Sequence, residues 1–154
     1  MCDEPSAPGP AGLQDGAGAW ALDLDGSLVD LLTGTRLRPG AKELVALLSG
    51  AGVRVVLWSA GGSGYARERA GRLGLAPYLS AYYGKVRSGS AGCWQVGHMS
   101  AADRPSVCVD DQPEYCPPSA RVIAVRPYIT EDTSDTGLAA ALAAAERWVR
   151  DRPG

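Results

Sequence analysis

Long apolar segments are missing from the sequence, and its N-terminus has neither a basic stretch nor an apolar one. A membrane-spanning helix needs about 20 consecutive apolar residues, and a secretory signal needs a basic stretch followed by an apolar one. We therefore expect a soluble, cytoplasmic protein with no membrane partner. In that compartment the four cysteines are expected to be free thiols.

Runs of lysine and arginine are also missing. The chain has 15 basic and 17 acidic residues, which gives a net charge of −2. Proteins that bind nucleic acid without sequence preference present a basic surface to the phosphate backbone. Nucleic acid is therefore not an expected partner, and an enzyme acting on nucleic-acid 3′-phosphates is disfavoured for the same reason.

The sequence motifs of several common metal-binding and catalytic sites are absent as well. No CxxC pair supports a zinc site, although Cys93, His98, Cys108 and Cys116 are the residues that would form one. His98, the only histidine, is interpreted as an ordinary surface or loop residue. No cysteine is followed by an arginine six positions later, which excludes the cysteine-dependent phosphatases. No Gly-Lys-Ser/Thr follows a glycine-rich turn, which excludes a Walker loop.

The composition is typical of one globular domain. The chain has 154 residues, of which 45% are hydrophobic and 21% are charged, enough to bury a core of ordinary size. Residues 1–18 are rich in Pro, Gly, Ala and Ser and hold almost no large apolar side chain, so they are expected to form a disordered tail. Residues 19–154 form the predicted domain.

Strand and helix patterns alternate along this domain. Apolar runs predict strands at 20–24, 53–58, 107–109 and 121–125, and an extended piece within 78–85. Helices are predicted from Pro39 to Gly50, over 65–73, and from a cap at Asp135 or Thr136 to about Arg150. Residues 86–104 show no clear period and are interpreted as a loop with one helical turn at most. This alternation favours an α/β fold with a mostly parallel sheet between two helical layers, a three-layer Rossmann-like domain.

Acidic and hydroxyl side chains follow three of the predicted strands. Asp23 and Asp25 come at the end of the first strand, Ser59 ends the second, and Asp110 and Asp111 follow a later one. The carboxyl ends of parallel strands meet at one edge of the sheet, so we expect these side chains to lie close together. Carboxylates from two strand ends form the oxygen-rich kind of site that Mg²⁺ shares with a substrate phosphate.

These residue types suit phosphoryl transfer. A carboxylate such as Asp23 can act as a nucleophile and form an acyl-phosphate intermediate, provided that a cation such as Lys85 offsets the repulsion between two anions. Asp25 has the spacing of a general acid and base beside it. The substrate phosphate is expected to bind the glycine-rich turn formed by Ser59, Ala60 and Gly61.

Four segments, taken in order, resemble the motifs of haloacid dehalogenase-like hydrolases: DLDGS at 23–27, LWSA with Ser59, Lys85, and VDD at 109–111. The resemblance covers residues 20–125. It implies that Asp23 is the nucleophile, that Asp25 is the general acid and base, and that Ser59 binds phosphate.

The same resemblance implies a Mg²⁺ ion and its ligands. These would be the Asp23 side chain, the Asp25 backbone carbonyl and the Asp110 side chain, with Asp111 assisting through water. Lys85 would neutralise charge on the transferring group, and Arg87, two residues further on, is the alternative cation.

The resemblance also indicates a branch of the family. Its dehalogenases lack the second aspartate, so the presence of Asp25 implies phosphoryl transfer. The intervals after the first and second motifs are too short for an inserted cap domain. LRPGAKELVALL and VVLWSAGGSGYA are similar to segments of the capless protein phosphatases. We therefore expect a phosphatase for a bulky phosphorylated substrate such as a phosphoprotein, the alternative being a non-catalytic domain that binds phosphate or a phosphopeptide.

Overall fold

A computed structural model of the protein describes residues 18–87 and 94–152, so the predicted tail lies outside the described residues apart from Gly18. The strands are β1 (Ala19–Asp23), β2 (Val55–Ser59), β3 (Ala81–Gly84), β4 (Val86–Arg87), β5 (Trp94–Gln95), β6 (Pro105–Asp110) and β7 (Arg121–Ala124). The α-helices are α1 (Ala41–Gly50), α2 (Ser63–Arg72) and α3 (Ala139–Arg150). Short 3-10 helices lie at Ala76–Tyr78, Ala101–Asp103 and Pro113–Tyr115.

The central sheet has five parallel strands in the order β3-β2-β1-β6-β7. This confirms the predicted α/β fold class with a parallel sheet. β1 lies in the middle, and every residue of β1 and β2 is buried. Strands buried on both faces are almost wholly apolar, which is why the first two strands were predictable from their composition.

One face of the sheet packs against all three α-helices. Alternate strand residues point to the same face, and Trp20, Leu22, Val55, Leu57, Val107 and Val109 form one cluster with helical residues. α1 contributes Ala41, Leu44, Val45 and Leu48 to this cluster, α2 contributes Ala66 and Ala70, and α3 contributes Ala141, Ala144 and Ala145. The small side chains of α2 and α3 let these helices lie close to the sheet.

The opposite face is covered by shorter elements. Ala21, Trp58 and Cys108 point to this face and pack with Trp94, Val96, Met99, Cys116 and Ala120. This layer consists of β5, the residues between β5 and the 3-10 helix Ala101–Asp103, and the residues that follow the 3-10 helix Pro113–Tyr115. Cys108 and Cys116 are free thiols, as predicted. Cys93, a member of the zinc hypothesis, lies outside the described residues.

Local differences from the prediction have physical causes. Within 86–104 the one predicted helical turn is the 3-10 helix Ala101–Asp103, but β4 and β5 form an antiparallel pair that the sequence did not reveal. Two-residue strands are too short to show a period. The first helix begins at Ala41 rather than Pro39, because Gly40 between them has a left-handed φ of 90°.

The prediction that Asp135 or Thr136 caps the last helix is also wrong. α3 begins at Ala139 after Leu138, with no side-chain cap. The Asp135 carboxylate instead accepts hydrogen bonds from Arg38 Nε at 2.6 Å and from the Gly137 amide at 3.1 Å. Over the described part of the chain, no helix combines the length and apolar character needed to cross a membrane.

Candidate active site

Three carboxylates meet at the carboxyl edge of the sheet. Leu22 of β1 lies opposite Val109 of β6, so the residues that follow, Asp23 and Asp110, emerge side by side. Asp111 is next in the chain. Each of the three aspartates offers one oxygen, and these oxygens all lie within 4.8 Å of one another. The sequence expectation that these residues converge is therefore met by the geometry.

Lys85 brings a positive charge into this cluster. Its backbone amide donates to the Ser59 carbonyl at 2.9 Å, which fixes the start of the segment after β3. Its Nζ donates to Asp23 Oδ1 at 2.8 Å and to Asp110 Oδ2 at 2.9 Å, and the lysine side chain is only 3% exposed. The ammonium therefore bridges the two buried carboxylates.

Arg87, the alternative cation, lies elsewhere. Its guanidinium carbon is 4.7 Å from the centre of the Trp94 ring and 4.9 Å from that of Tyr115, and the residue is exposed. Lys85 Nζ also lies against Trp94, at 5.3 Å, and against Trp58, at 5.2 Å. The two tryptophans form an apolar wall beside the lysine, a feature that sequence reasoning missed.

Burial governs the ionisation of the cluster. Burial raises the pKa of the Asp23 carboxyl well above its ordinary value, with the Asp110 charge acting in the same direction and Lys85 opposing it. Burial also raises the pKa of Asp110. For Lys85 burial acts to lower the pKa, but the charges of Asp23 and Asp110 outweigh it and raise the pKa. The lysine therefore stays protonated, and its charge opposes the effect of burial on the pKa of both carboxyls.

Ser27 joins the carboxylates to one another and is a second feature that sequence reasoning missed. Its Oγ donates to Asp23 Oδ2 at 2.6 Å, lies 3.2 Å from Asp111 Oδ1, and accepts from the Asp111 amide at 3.0 Å. Because the residue is fully buried, the hydroxyl fixes the rotamers of both carboxylates. Its position four residues after Asp23 was part of the quoted motif, but no role followed from it.

Asp25 is not a member of the group formed by Asp23, Asp110 and Asp111. Its Oδ1 accepts a hydrogen bond from the Tyr65 hydroxyl at 2.8 Å. Burial and this bond raise the pKa of Tyr65, so the phenol keeps its proton and acts as the donor. The aspartates that the structure groups as potential metal ligands are Asp23, Asp110 and Asp111. Ligation by the Asp25 backbone carbonyl stays a prediction.

The predicted phosphate-binding turn follows β2 directly. Ser59 is 1% exposed, and its Oγ accepts from the Gly61 amide at 3.0 Å. Ala60 and Gly61 are exposed, and α2 begins just beyond them at Ser63. The turn therefore lies at the N-terminus of α2, where the helix dipole and the N–H groups of the first helical turn favour anions. An accepting hydroxyl also keeps its own proton for donation.

The donor set fits Mg²⁺. With all three carboxyls deprotonated and the lysine protonated, the cluster carries two negative charges, which one divalent cation neutralises. All the ligands are hard oxygen atoms, which Mg²⁺ prefers to nitrogen or sulfur. A cation on these oxygens also offsets the burial that raises the pKa of Asp23 and Asp110.

Comparison of the chain with protein-family models found no match, and comparison with curated proteins found no significant match. The resemblance to haloacid dehalogenase-like hydrolases therefore rests on the four motifs in the sequence.

Proposed function

We propose that the protein is a Mg²⁺-dependent phosphatase of the haloacid dehalogenase-like kind, which hydrolyses phosphomonoesters through an aspartyl-phosphate on Asp23. The observation that supports this most is the buried ammonium of Lys85, held 2.8 Å from Asp23 and 2.9 Å from Asp110 beside Asp111. A nucleophilic carboxylate that must approach an anionic phosphate needs this arrangement of positive charge.

In the first step the Asp23 carboxylate attacks phosphorus and forms a new P–O bond. The bond between phosphorus and the substrate oxygen breaks, and its electron pair goes to that oxygen. Asp25, in its carboxylic acid form, donates a proton to the oxygen, which leaves as an alcohol. Lys85 and the turn at Ser59 hold the negative charge of the transferring group.

In the second step the Asp25 carboxylate accepts a proton from water. The resulting hydroxide attacks the phosphorus of the aspartyl-phosphate, and the bond to the Asp23 oxygen breaks. This releases inorganic phosphate, restores the Asp23 carboxylate and leaves Asp25 protonated for the next cycle. Mg²⁺ bound by Asp23, Asp110 and Asp111 would screen the phosphate charge throughout.

A bulky substrate is supported by the short connections around the site. Residues 24–40 join β1 to α1, and residues 60–80 join β2 to β3 with α2 and one 3-10 helix. Both segments are fully described, and neither contains a further strand of the sheets. Exposed Ala60 and Gly61 leave the predicted phosphate turn accessible to a phosphoserine on a protein.

The proposal is tested by the release of inorganic phosphate from an aryl phosphate and from a phosphoserine peptide, in Mg²⁺ and in chelator. Asp23→Asn removes the nucleophile at nearly constant volume, and Asp132→Asn removes an exposed carboxylate elsewhere. We expect turnover that needs both Mg²⁺ and Asp23 and that Asp132→Asn retains. Full activity of Asp23→Asn would exclude the mechanism. Tight binding of the phosphopeptide without turnover would instead favour a phosphate-binding regulatory domain.

A further inference from the structure

The hydrogen bond between Tyr65 and Asp25 is enclosed by two glycines. A Cβ on Gly34 would lie 2.9 Å from the Tyr65 hydroxyl and 3.2 Å from Asp25 Oδ1. A Cβ on Gly61 would lie 2.7 Å from Tyr65 Cδ1. Any larger residue at either place would push the ring or the bond aside. The two glycines thus leave the space that the tyrosine needs to reach Asp25.

The Gly34 side of this enclosure is fixed by Asp30. The Asp30 carboxylate accepts hydrogen bonds from the amides of Thr33 at 2.7 Å, Thr35 at 3.1 Å and Arg36 at 2.8 Å. Its backbone carbonyl accepts from the Gly34 amide at 2.9 Å. Four backbone amides of one turn, all bonded to Asp30, therefore hold the Gly34 backbone against the Tyr65 hydroxyl, which gives the bond to Asp25 a rigid support.

The proposed general acid and base would otherwise be free to rotate. Asp25 is only half-buried, unlike Asp23, and its carboxylate lies outside the group formed by Asp23, Asp110 and Asp111. A side chain that exchanges protons must hold one oxygen near the reacting atoms, and rotation about χ1 and χ2 removes it from that position. A donor that fixes Oδ1 leaves Oδ2 as the oxygen that carries the proton of the acid form.

We propose that Tyr65 is a positioning residue, which holds Asp25 so that its Oδ2 gives a proton to the leaving oxygen and later accepts one from water. This inference rests on the proposed phosphatase function. It predicts that loss of the tyrosine hydroxyl weakens proton transfer without removing the nucleophile, the metal ligands or the phosphate turn.

The test uses Tyr65→Phe, which deletes the hydroxyl and keeps the ring. Tyr83→Phe is the matched control, because the Tyr83 hydroxyl donates to Asp103 at 2.7 Å, away from Asp25. Each variant is assayed in Mg²⁺ with 4-nitrophenyl phosphate, whose leaving group needs no proton, and with phosphoserine in a peptide, whose leaving group does. The value of kcat/KM reports the first chemical step for both substrates.

We expect Tyr65→Phe to lower kcat/KM about 10- to 100-fold for the phosphoserine peptide and at most about 3-fold for 4-nitrophenyl phosphate. A burst of nitrophenol should also appear, because slower activation of water makes aspartyl-phosphate breakdown limiting. Tyr83→Phe should change kcat/KM by the same factor for the two substrates.

Equal losses on both substrates in Tyr65→Phe, or no loss, would overturn the positioning role while leaving the phosphatase proposal intact. A wild-type protein inactive on both substrates would overturn the phosphatase proposal itself. Thermal unfolding of each variant separates a folding defect from either outcome.

Discussion

Lys85 Nζ lies 2.8 Å from Asp23 Oδ1, although β2 separates the strand before Lys85 from the strand that carries Asp23. The lysine side chain therefore spans the neighbouring strand end and reaches Asp110 as well, at 2.9 Å. The order β3-β2-β1-β6 makes this possible, because it puts the acidic strands next to each other and the lysine within reach of both. The position of the cation is thus a consequence of the sheet topology.

Replacement of this cation tests its role directly. Lys85→Met keeps the length of the side chain and removes the charge, which leaves Asp23 and Asp110 without the ammonium that bridges them. We expect phosphatase kcat/KM to fall about 100-fold or more. Arg87→Met is the matched control, since its guanidinium stacks on Trp94 and Tyr115 instead, and it should stay within about 3-fold of wild type. A larger loss of kcat/KM in Arg87→Met than in Lys85→Met would show that Arg87, and not Lys85, is the cation that acts in the site.

The ion pair of Arg38 and Asp135 is expected to dominate the stability of the C-terminal segment. The Arg38 side chain is fully buried, and it donates to both Asp135 oxygens, at 2.6 and 3.2 Å. Asp135→Asn leaves a buried guanidinium without its counter-ion. We expect the free energy of unfolding in urea to fall by about 3 kcal/mol. Asp151→Asn breaks an exposed pair with Arg150 and should change it by less than about 0.5 kcal/mol. Similar losses in both variants would contradict this account.

Much of the fold could be predicted because its strands are continuous apolar runs. β1 and β2 are buried along their whole length, so their composition alone marked them, and the acidic residues that follow β1 and β6 marked the edge where the site lies. The parallel order then brought Asp23, Asp110 and Asp111 together. These features follow from the local sequence and from the rule that the carboxyl ends of parallel strands meet at one edge of the sheet.

Other contacts depend on tertiary packing and leave no local trace. Tyr65 and Asp25 are 40 positions apart, and nothing in their spacing predicts that the hydroxyl reaches the carboxylate. Asp135 has the composition of a helix cap, yet the buried Arg38 takes it as a counter-ion. The β4 and β5 strands each have two residues, too few for any period. Sequence reasoning therefore identified the aspartates and the lysine of the candidate site but not the residues that hydrogen-bond to them or hold their counter-ions.

Asp103 should make the free energy of unfolding depend on pH in the acid range. Burial alone would raise its pKa, but hydrogen bonds from Tyr83, Arg54 and Ser100, and the Arg54 charge, lower it below 3.8. Its stabilising effect is therefore complete above pH 3.8 and is lost as the pH falls through the lowered value. Asp103→Asn should lose about 2 kcal/mol at pH 7, and its difference from wild type should narrow below pH 4.

The measurement for Asp103 is urea unfolding as a function of pH. Glu68→Gln is the control, because its pair with Arg72 is exposed on both sides. A difference between Asp103→Asn and wild type that widened with acid would contradict the lowered pKa.

Gly34 should matter for catalysis beyond its backbone conformation. Gly34 has a φ of 65°, and an added Cβ would press on the Tyr65 hydroxyl and on Asp25. Gly74 has a similar φ of 73°, with nothing within 4 Å of its Cβ position. Both alanine variants should lose about 1 kcal/mol of stability from the left-handed conformation. Only Gly34→Ala should lower kcat/KM for a phosphoserine peptide relative to 4-nitrophenyl phosphate. If the ratio of kcat/KM for the two substrates were the same in Gly34→Ala and Gly74→Ala, the close approach of residue 34 to Tyr65 and Asp25 would have no effect on catalysis.

The central claim, an aspartyl-phosphate on Asp23, is tested most directly in the Asp25→Asn variant. This variant lacks the base that activates water, so the phosphorylated protein should accumulate during turnover. Acid quenching followed by mass spectrometry of the peptides locates the phosphoryl group. The account predicts modification of Asp23 in Mg²⁺, none in chelator, and none in the double variant that also carries Asp23→Asn. A phosphoryl group on another residue, or phosphate release in Mg²⁺ with no phosphorylated protein in the Asp25→Asn variant, would contradict it.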